Sequence, residues 1–411
     1  MPTPRHDTFT IGGTLGRLRS RVAPDRVNRA NGWTGALRIL LCLVLVLQST
    51  TYGVISPLLP ELATELGLRG AQVGLVTGAY TIGMLPASLA LVLVRSAVPD
   101  APVVIAGMGS LATGCLLLTA DPTFTVVLTA RFLMGLGAGF CFAAGVRWLV
   151  GTAPGREGLF FGLGWGMLSV GNALGPVLGA LAASLGRAPV HAALGVTFVV
   201  CLAALAALAR RAPSTESRLK SDGGGRLRVP VLGNALLPLT LPALLMGVLY
   251  TLVPLRLADL RQPGWIAVAF SAAAVLGALA SPAAGQLLAR VAAPSMLWWS
   301  LPCTGLLVVI LAWPVPAAAV AIVTVLVLGG VGQAVVVAAG EQLRKALRRT
   351  GARDVSSALI TLMFAVFETV GAVAGSQAVV ASAPLPYAAC LLIAVVCAVA
   401  VRRQARGTRG R

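Results

Sequence analysis

Apolar runs of about 20 residues, separated by short polar or charged stretches, recur along almost the whole chain, and each can cross the roughly 30 Å of a bilayer core as a helix. Twelve can be marked, at approximately 37 to 58, 71 to 94, 102 to 120, 124 to 146, 158 to 184, 190 to 209, 231 to 255, 264 to 288, 295 to 313, 316 to 338, 355 to 379 and 384 to 401. Stretches such as LRILLCLVLVL and AIVTVLVLGG are apolar at every phase. They lack the strict apolar/polar alternation of a membrane-spanning strand, so they read as helices and not as barrel strands. The pattern predicts an all-α integral membrane protein with twelve transmembrane helices.

Composition agrees: 57% of the 411 residues are hydrophobic and 11% charged, more apolar surface than a soluble fold of this length can bury. The net charge of +19 raises nucleic-acid binding as an alternative, and the placement of the 32 basic residues removes it. With the N-terminus inside, 27 of them fall in the tails and inner connections. Only Arg69, Arg187, Arg256 and Arg261 fall outside, and Arg131 lies within a helix. That bias follows the positive-inside rule and predicts two cytoplasmic termini in an inner or plasma membrane. Arginine outnumbers lysine 30 to 2, which fits a GC-rich bacterial source. The basic N-terminal stretch has no signal-peptide core, so the first helix is expected to stay as an uncleaved anchor. All seven cysteines sit inside predicted helices, and no disulfide framework is expected.

The expected organisation is a basic tail (1–36), a six-helix bundle (37–209), a linker (210–230), a second six-helix bundle (231–401) and a basic tail (402–411). The linker, RRAPSTESRLKSDGGGRLRVP, is polar, basic and glycine-rich. The bundles carry matching features. Gly135 to Gly137 in helix 4 corresponds to Gly330 to Gly332 in helix 10, an offset of 195. Gly171, Gly175 and Gly179 in helix 5 correspond at an offset of 196 to Phe367, Gly371 and Gly375 in helix 11. Ala90 with Arg95 is matched by Gly285 with Arg290. An even number of helices per unit brings both copies into the membrane from the same side, which predicts a parallel internal repeat.

No GxxxxGK[ST] phosphate loop is present, so ATP hydrolysis is not expected. His6 and His191 stand apart and no cysteine pair has ligand spacing, so no metal site, cofactor or enzymatic constellation is expected. Ionisable groups inside a membrane are costly and mark function by default. Glu368, in MFAVFETVGAVAG of helix 11, is the one acid placed clearly within a hydrocarbon span. It is the candidate proton-coupling site; its repeat counterpart in helix 5 is Asn172. Arg131 in helix 4 is the second candidate, since its permanent charge needs a carboxylate, carbonyls or water. A structural role, tying helices together, is the alternative for both. Glu341 and Lys345 form an i,i+4 pair on a charged extension of helix 10.

Twelve helices, a basic central connection and a parallel repeat resemble the major facilitator superfamily, from about residue 37 to 401. In RFLMGLGAGF, Arg131, Gly135, Gly137 and Gly139 match the family's arginine and spaced glycines. In GNALGPVLG, Gly171, Gly175, Pro176 and Gly179 resemble the antiporter signature of its drug-exporting branches. Small residues four apart let backbones approach closely. The connection after helix 2 departs from the family pattern: Val94 and Ala289 stand where it carries aspartate. The resemblance implies that helices 1, 4, 7 and 10 surround a cavity flanked by 2, 5, 8 and 11. Gln48, Thr51, Tyr52, Tyr80, Tyr250, Gln333 and Phe364 then become candidate substrate contacts. Trp165, Trp298 and Trp299 are expected to be packing or interface anchors.

These features together predict a monomeric secondary transporter, driven by protons, that exports a small apolar or amphiphilic compound by alternating access, with Glu368 as the proton site and Arg131 tuning it. The alternatives are a facilitator or symporter importing a nutrient or an organic anion held by Arg131, and a non-transporting membrane sensor.

Overall fold

A computed structural model of the chain describes residues 24–94, 98–153, 156–210, 229–288, 290–350, 356–382 and 384–407. Most of the linker, both tail ends and Arg95 lie outside the described residues. Among the described residues, twelve helices are long and apolar enough to span a membrane. They are α1 (Trp33–Glu65), α2 (Ala71–Leu93), α3 (Asp100–Leu117), α4 (Phe124–Gly151), α5 (Gly162–Leu185), α6 (Arg187–Ala209), α7 (Leu236–Asp259), α8 (Gly264–Leu288), α9 (Ala293–Ala312), α10 (Ala317–Leu347), α11 (Ala358–Val380) and α12 (Leu385–Arg403). Twelve successive crossings leave the start of α1 and the end of α12 on one face of the bundle, called the terminal face below; the other is the distal face.

Two helices depart from simple regularity. α1 continues to Glu65, past the predicted end near 58, and is interrupted by a turn at Val54. Pro57 and Pro60 lack the N–H groups that would bond the carbonyls of Gly53 and Ser56, so the ladder loosens there while helical geometry resumes. α10 widens into a π-helical stretch over Val325–Val331. Its charged end carries the expected Glu341–Lys345 pair at 3.7 Å.

Glycines set how closely the helices approach. Gly171, Gly175 and Gly179 of α5 ride along α1: a Cβ on Gly171 would stand 2.7 Å from Ser49 Cβ, and one on Gly179 would stand 2.8 Å from Pro57 Cδ. Gly175 lies against Gly53, a Cβ there falling 2.8 Å from Gly53 Cα. The second half repeats the scheme, with Gly371 and Gly375 of α11 against Leu244 and Val248 of α7. In α4, Gly135 faces the Tyr80 carbonyl of α2, Gly139 faces Ala87 one turn on, and Gly137 faces Gly107 and Leu111 of α3. Within each half the helix pairings correspond: α1 lies along α5 as α7 lies along α11, and α3 packs on α4 and α6 as α9 packs on α10 and α12.

The halves meet along α2–α11 and α5–α8. Thr81 and Thr369 share a hydrogen bond of 2.7 Å, the Ala71 amide donates to Gln377 Oε1 at 3.0 Å, and Gly74 sits against Ala372 and Ser376. On the other seam Ser271 donates to the Ala173 carbonyl at 2.7 Å. These contacts concentrate in the distal portion of the bundle.

Candidate functional site

Between the halves lies a cavity of about 700 Å³, within the size range of small-molecule sites. Tyr52, Tyr80, Tyr250 and Phe270 close it at mid-bundle. The ring of Tyr52 is 5.3 Å from that of Tyr80 and 4.7 Å from that of Tyr250, which in turn lies 4.4 Å from Phe270. From this aromatic roof the cavity runs toward the terminal face, where Leu163, Pro282 and Ile360 line it near the terminal ends of α5, α8 and α11.

Glu368 is the one Asp, Glu, Lys, Arg or His among the described lining residues. It is 4% exposed, and its Oε1 accepts a hydrogen bond from the Tyr52 hydroxyl of the other half. One turn toward the terminal face, Ser49 donates at 2.7 Å to Oδ1 of Asn172, the residue expected from the sequence offset to be the counterpart of Glu368. Thus α1 is held on one side by α5 and on the other by α11, through two side chains three residues apart.

Arg131 is 1% exposed and does not line the cavity. Its Nη1 donates to the Thr51 carbonyl at 3.1 Å, and its Cζ lies 4.7 Å from the centre of the Tyr80 ring. Nε and Nη2 have no hydrogen-bond partner among the described residues. No ion pair joins Arg131 to Glu368. They are connected through α1 instead, the guanidinium holding the carbonyl of Thr51 and the carboxylate the hydroxyl of Tyr52 next to it.

Of the residues singled out from sequence as substrate contacts, Gln48, Tyr52, Tyr80, Tyr250, Gln333 and Phe364 line the cavity. Thr51 does not: it is fully buried and its hydroxyl donates to the Gln48 carbonyl at 2.7 Å. Tyr80 donates to the same carbonyl at 3.0 Å. The Gln333 amide donates to the Leu328 carbonyl at 3.1 Å, inside the widened stretch of α10, and accepts from Ser281 at 3.3 Å. Trp165, expected as an anchor, is on the wall, 5.3 Å from Phe142. By contrast Trp299 is 71% exposed and Trp298 stacks with Arg402 at 4.6 Å. Ser49, Phe142, Phe270 and Ser281 are lining residues the sequence reading missed. Ser49 carried a signal, since it precedes Tyr52 by one helical turn.

Fixed ion pairs lie away from the cavity. Asp100 and Arg147 pair at 2.5 Å near the terminal face, and Glu65 with Arg187 at 2.9 Å near the distal face. No group of three or more His, Cys, Asp or Glu arranged to hold a metal occurs among the described residues.

A comparison with curated protein sequences gives no match. The sequence does match the family model of the Major Facilitator Superfamily over residues 41–372, a range running from α1 into α11 and containing Arg131, Glu368 and every lining residue of the cavity. With twelve membrane-spanning helices around a central cavity, the chain belongs to the Major Facilitator Superfamily and is a multi-pass membrane transporter of small molecules.

Proposed function

We propose that this transporter exports a small apolar or amphiphilic compound in exchange for protons, residues 37–209 and 231–401 rocking as two halves around the cavity. The observation that carries this reading is the position of Glu368: a buried carboxyl on the wall of an otherwise uncharged cavity, bonded across the halves to Tyr52. An intramembrane acid at such a place can hold a proton in one conformation and give it up in the other. Import of an organic anion through Arg131 is less well supported, because the guanidinium lies behind Tyr80 and offers the cavity no positive charge.

The cavity extends toward the terminal face, which the basic-residue bias makes cytoplasmic. In this state a compound enters from the cytoplasm while Glu368 is bonded to Tyr52. Outward opening separates the distal contacts of α2 with α11 and exposes the carboxylate to external protons. Arg131 tunes the site through α1, and the close packing of Gly171, Gly175, Pro176 and Gly179 on α1 limits leakage during the switch. Inverted membrane vesicles acidified inside test this directly. Adding a transported compound outside is expected to release luminal protons, whereas accumulation of the compound without proton release points to facilitation and ends the exchange mechanism.

A further inference from the structure

Most polar groups on the cavity wall are already hydrogen-bonded within the protein: Ser49 to Asn172, Tyr52 to Glu368, Tyr80 to the Gln48 carbonyl, and Ser281 and Gln333 to each other. Two are not. The side-chain amide of Gln48 and the hydroxyl of Tyr250 have no hydrogen-bond partner among the described residues, although the two residues are only 5% and 4% exposed and both line the cavity. Neither group is among the polar atoms sealed in the packed interior without a partner, so both open onto the cavity, where a hydrogen bond has to come from what fills it. Unpaired groups from opposite halves that face one cavity mark the place where a ligand, or water in its absence, supplies the bonds.

The chemistry of the two groups narrows the ligand. A glutamine amide presents a carbonyl acceptor beside N–H donors, and a phenol adds one donor and one acceptor. The complement that meets both edges of an amide at once is a second amide with its N–H and C=O on the same side, as in a lactam or a primary carboxamide. A carboxylate or phosphate finds no positive counter-charge on the wall, since Glu368 is the one ionisable acid or base among the described lining residues. Tyr52, Tyr80, Phe270, Phe142 and Trp165 supply an aromatic lining for the apolar remainder of the molecule. Gln48 lies one turn from Tyr52 on α1, and the ring of Tyr250 lies tilted against that of Tyr52 at 4.7 Å, so this subsite adjoins the Tyr52–Glu368 bond without using it.

We propose that Gln48 and Tyr250 form a hydrogen-bonding subsite that selects uncharged amphiphiles carrying a lactam or carboxamide. This rests on the chain acting as the exporter proposed above, and it separates the groups that recognise substrate from the group that carries the proton. The test uses the full chain in proteoliposomes and a matched pair of probes, an aromatic lactam and its N-methyl analogue, with proton movement recorded alongside uptake. Wild type is expected to take up the lactam with a KM roughly tenfold or more below that of the analogue, the cost of one unmet hydrogen bond. Gln48→Leu is expected to bring the ratio to near one, and Tyr250→Phe to lower it partway. Equal KM values in wild type, or an unchanged ratio in both variants, overturn the subsite while leaving proton-coupled export standing. Uptake of neither probe, with no proton movement, overturns the subsite and the export mechanism together.

Discussion

Tyr52 of α1 donates its hydroxyl hydrogen to Glu368 of α11, a side-chain bond that joins the two halves at the roof of the cavity. The charge state of Glu368 decides what that bond can be. A carboxylate only accepts, whereas the protonated acid also offers a donor and holds a neutral phenol less tightly. Protonation therefore changes the relative stability of the state in which α1 and α11 are joined. A ligand or proton shifts a conformational equilibrium only through such a difference.

Replacing Tyr52 by Phe removes the donor and keeps the ring against Tyr80 and Tyr250. Compound-dependent proton movement is expected to fall by roughly an order of magnitude, as for loss of one hydrogen bond to a charged group, while the protein still purifies as a single species. Coupled flux equal to wild type excludes the hydroxyl from the exchange cycle.

Arg131 distinguishes a functional charge from a structural one. Arg131 makes no ion pair with Glu368, so an apolar side chain of similar volume removes a costly desolvated charge and strands no counter-charge there. Arg131→Met is therefore expected to unfold within about 5 °C of wild type in detergent, yet to lose most coupled flux. The guanidinium no longer holds the Thr51 carbonyl beside Tyr52. A large loss of thermal stability with residual flux per folded molecule unchanged assigns Arg131 to the scaffold.

The glycine contacts make a prediction about assembly. A methyl group on Gly135 meets the Tyr80 carbonyl, and one on Gly171 meets the Val46 carbonyl and Ser49, backbone that cannot step aside. Gly264 and Gly285 have nothing within 4 Å of such a methyl. Gly135→Ala and Gly171→Ala are expected to lower the yield and melting temperature of the monodisperse protein clearly, whereas Gly264→Ala and Gly285→Ala leave both near wild type. Thermal unfolding followed by size-exclusion chromatography reads the difference.

The spans were legible in the sequence because a bilayer demands about 20 apolar residues per crossing, and the hydropathy of each run is strong. The end of α1 was not. Its last turns carry Glu61, Thr64 and Glu65, which look like a loop by hydropathy but continue the helix beyond the apolar stretch. The widening of α10 over Val325–Val331 has no sequence signature beyond its glycines, of which Gly329 lies against Ala273 of α8. Glu368 and Arg131 stood out as charges inside apolar runs. Their connection through adjacent residues of α1 is a tertiary fact that spacing cannot reveal. The same limit explains Thr51, which follows Gln48 by nearly one turn yet turns from the cavity into the interface with α2 and α4. Gly171, Gly175 and Gly179 were legible as a close-packing stripe, and the structure supplies its partner, the broken segment of α1.

The most direct measurement compares wild type and Glu368→Gln in proteoliposomes under an imposed pH gradient, across a panel of amphiphilic compounds. Glutamine keeps the acceptor that Tyr52 needs and cannot exchange a proton. Wild type is expected to show proton movement that depends on a transported compound, and Glu368→Gln none. The same compound-dependent proton movement in both proteins, or transport by wild type without protons, contradicts exchange through Glu368.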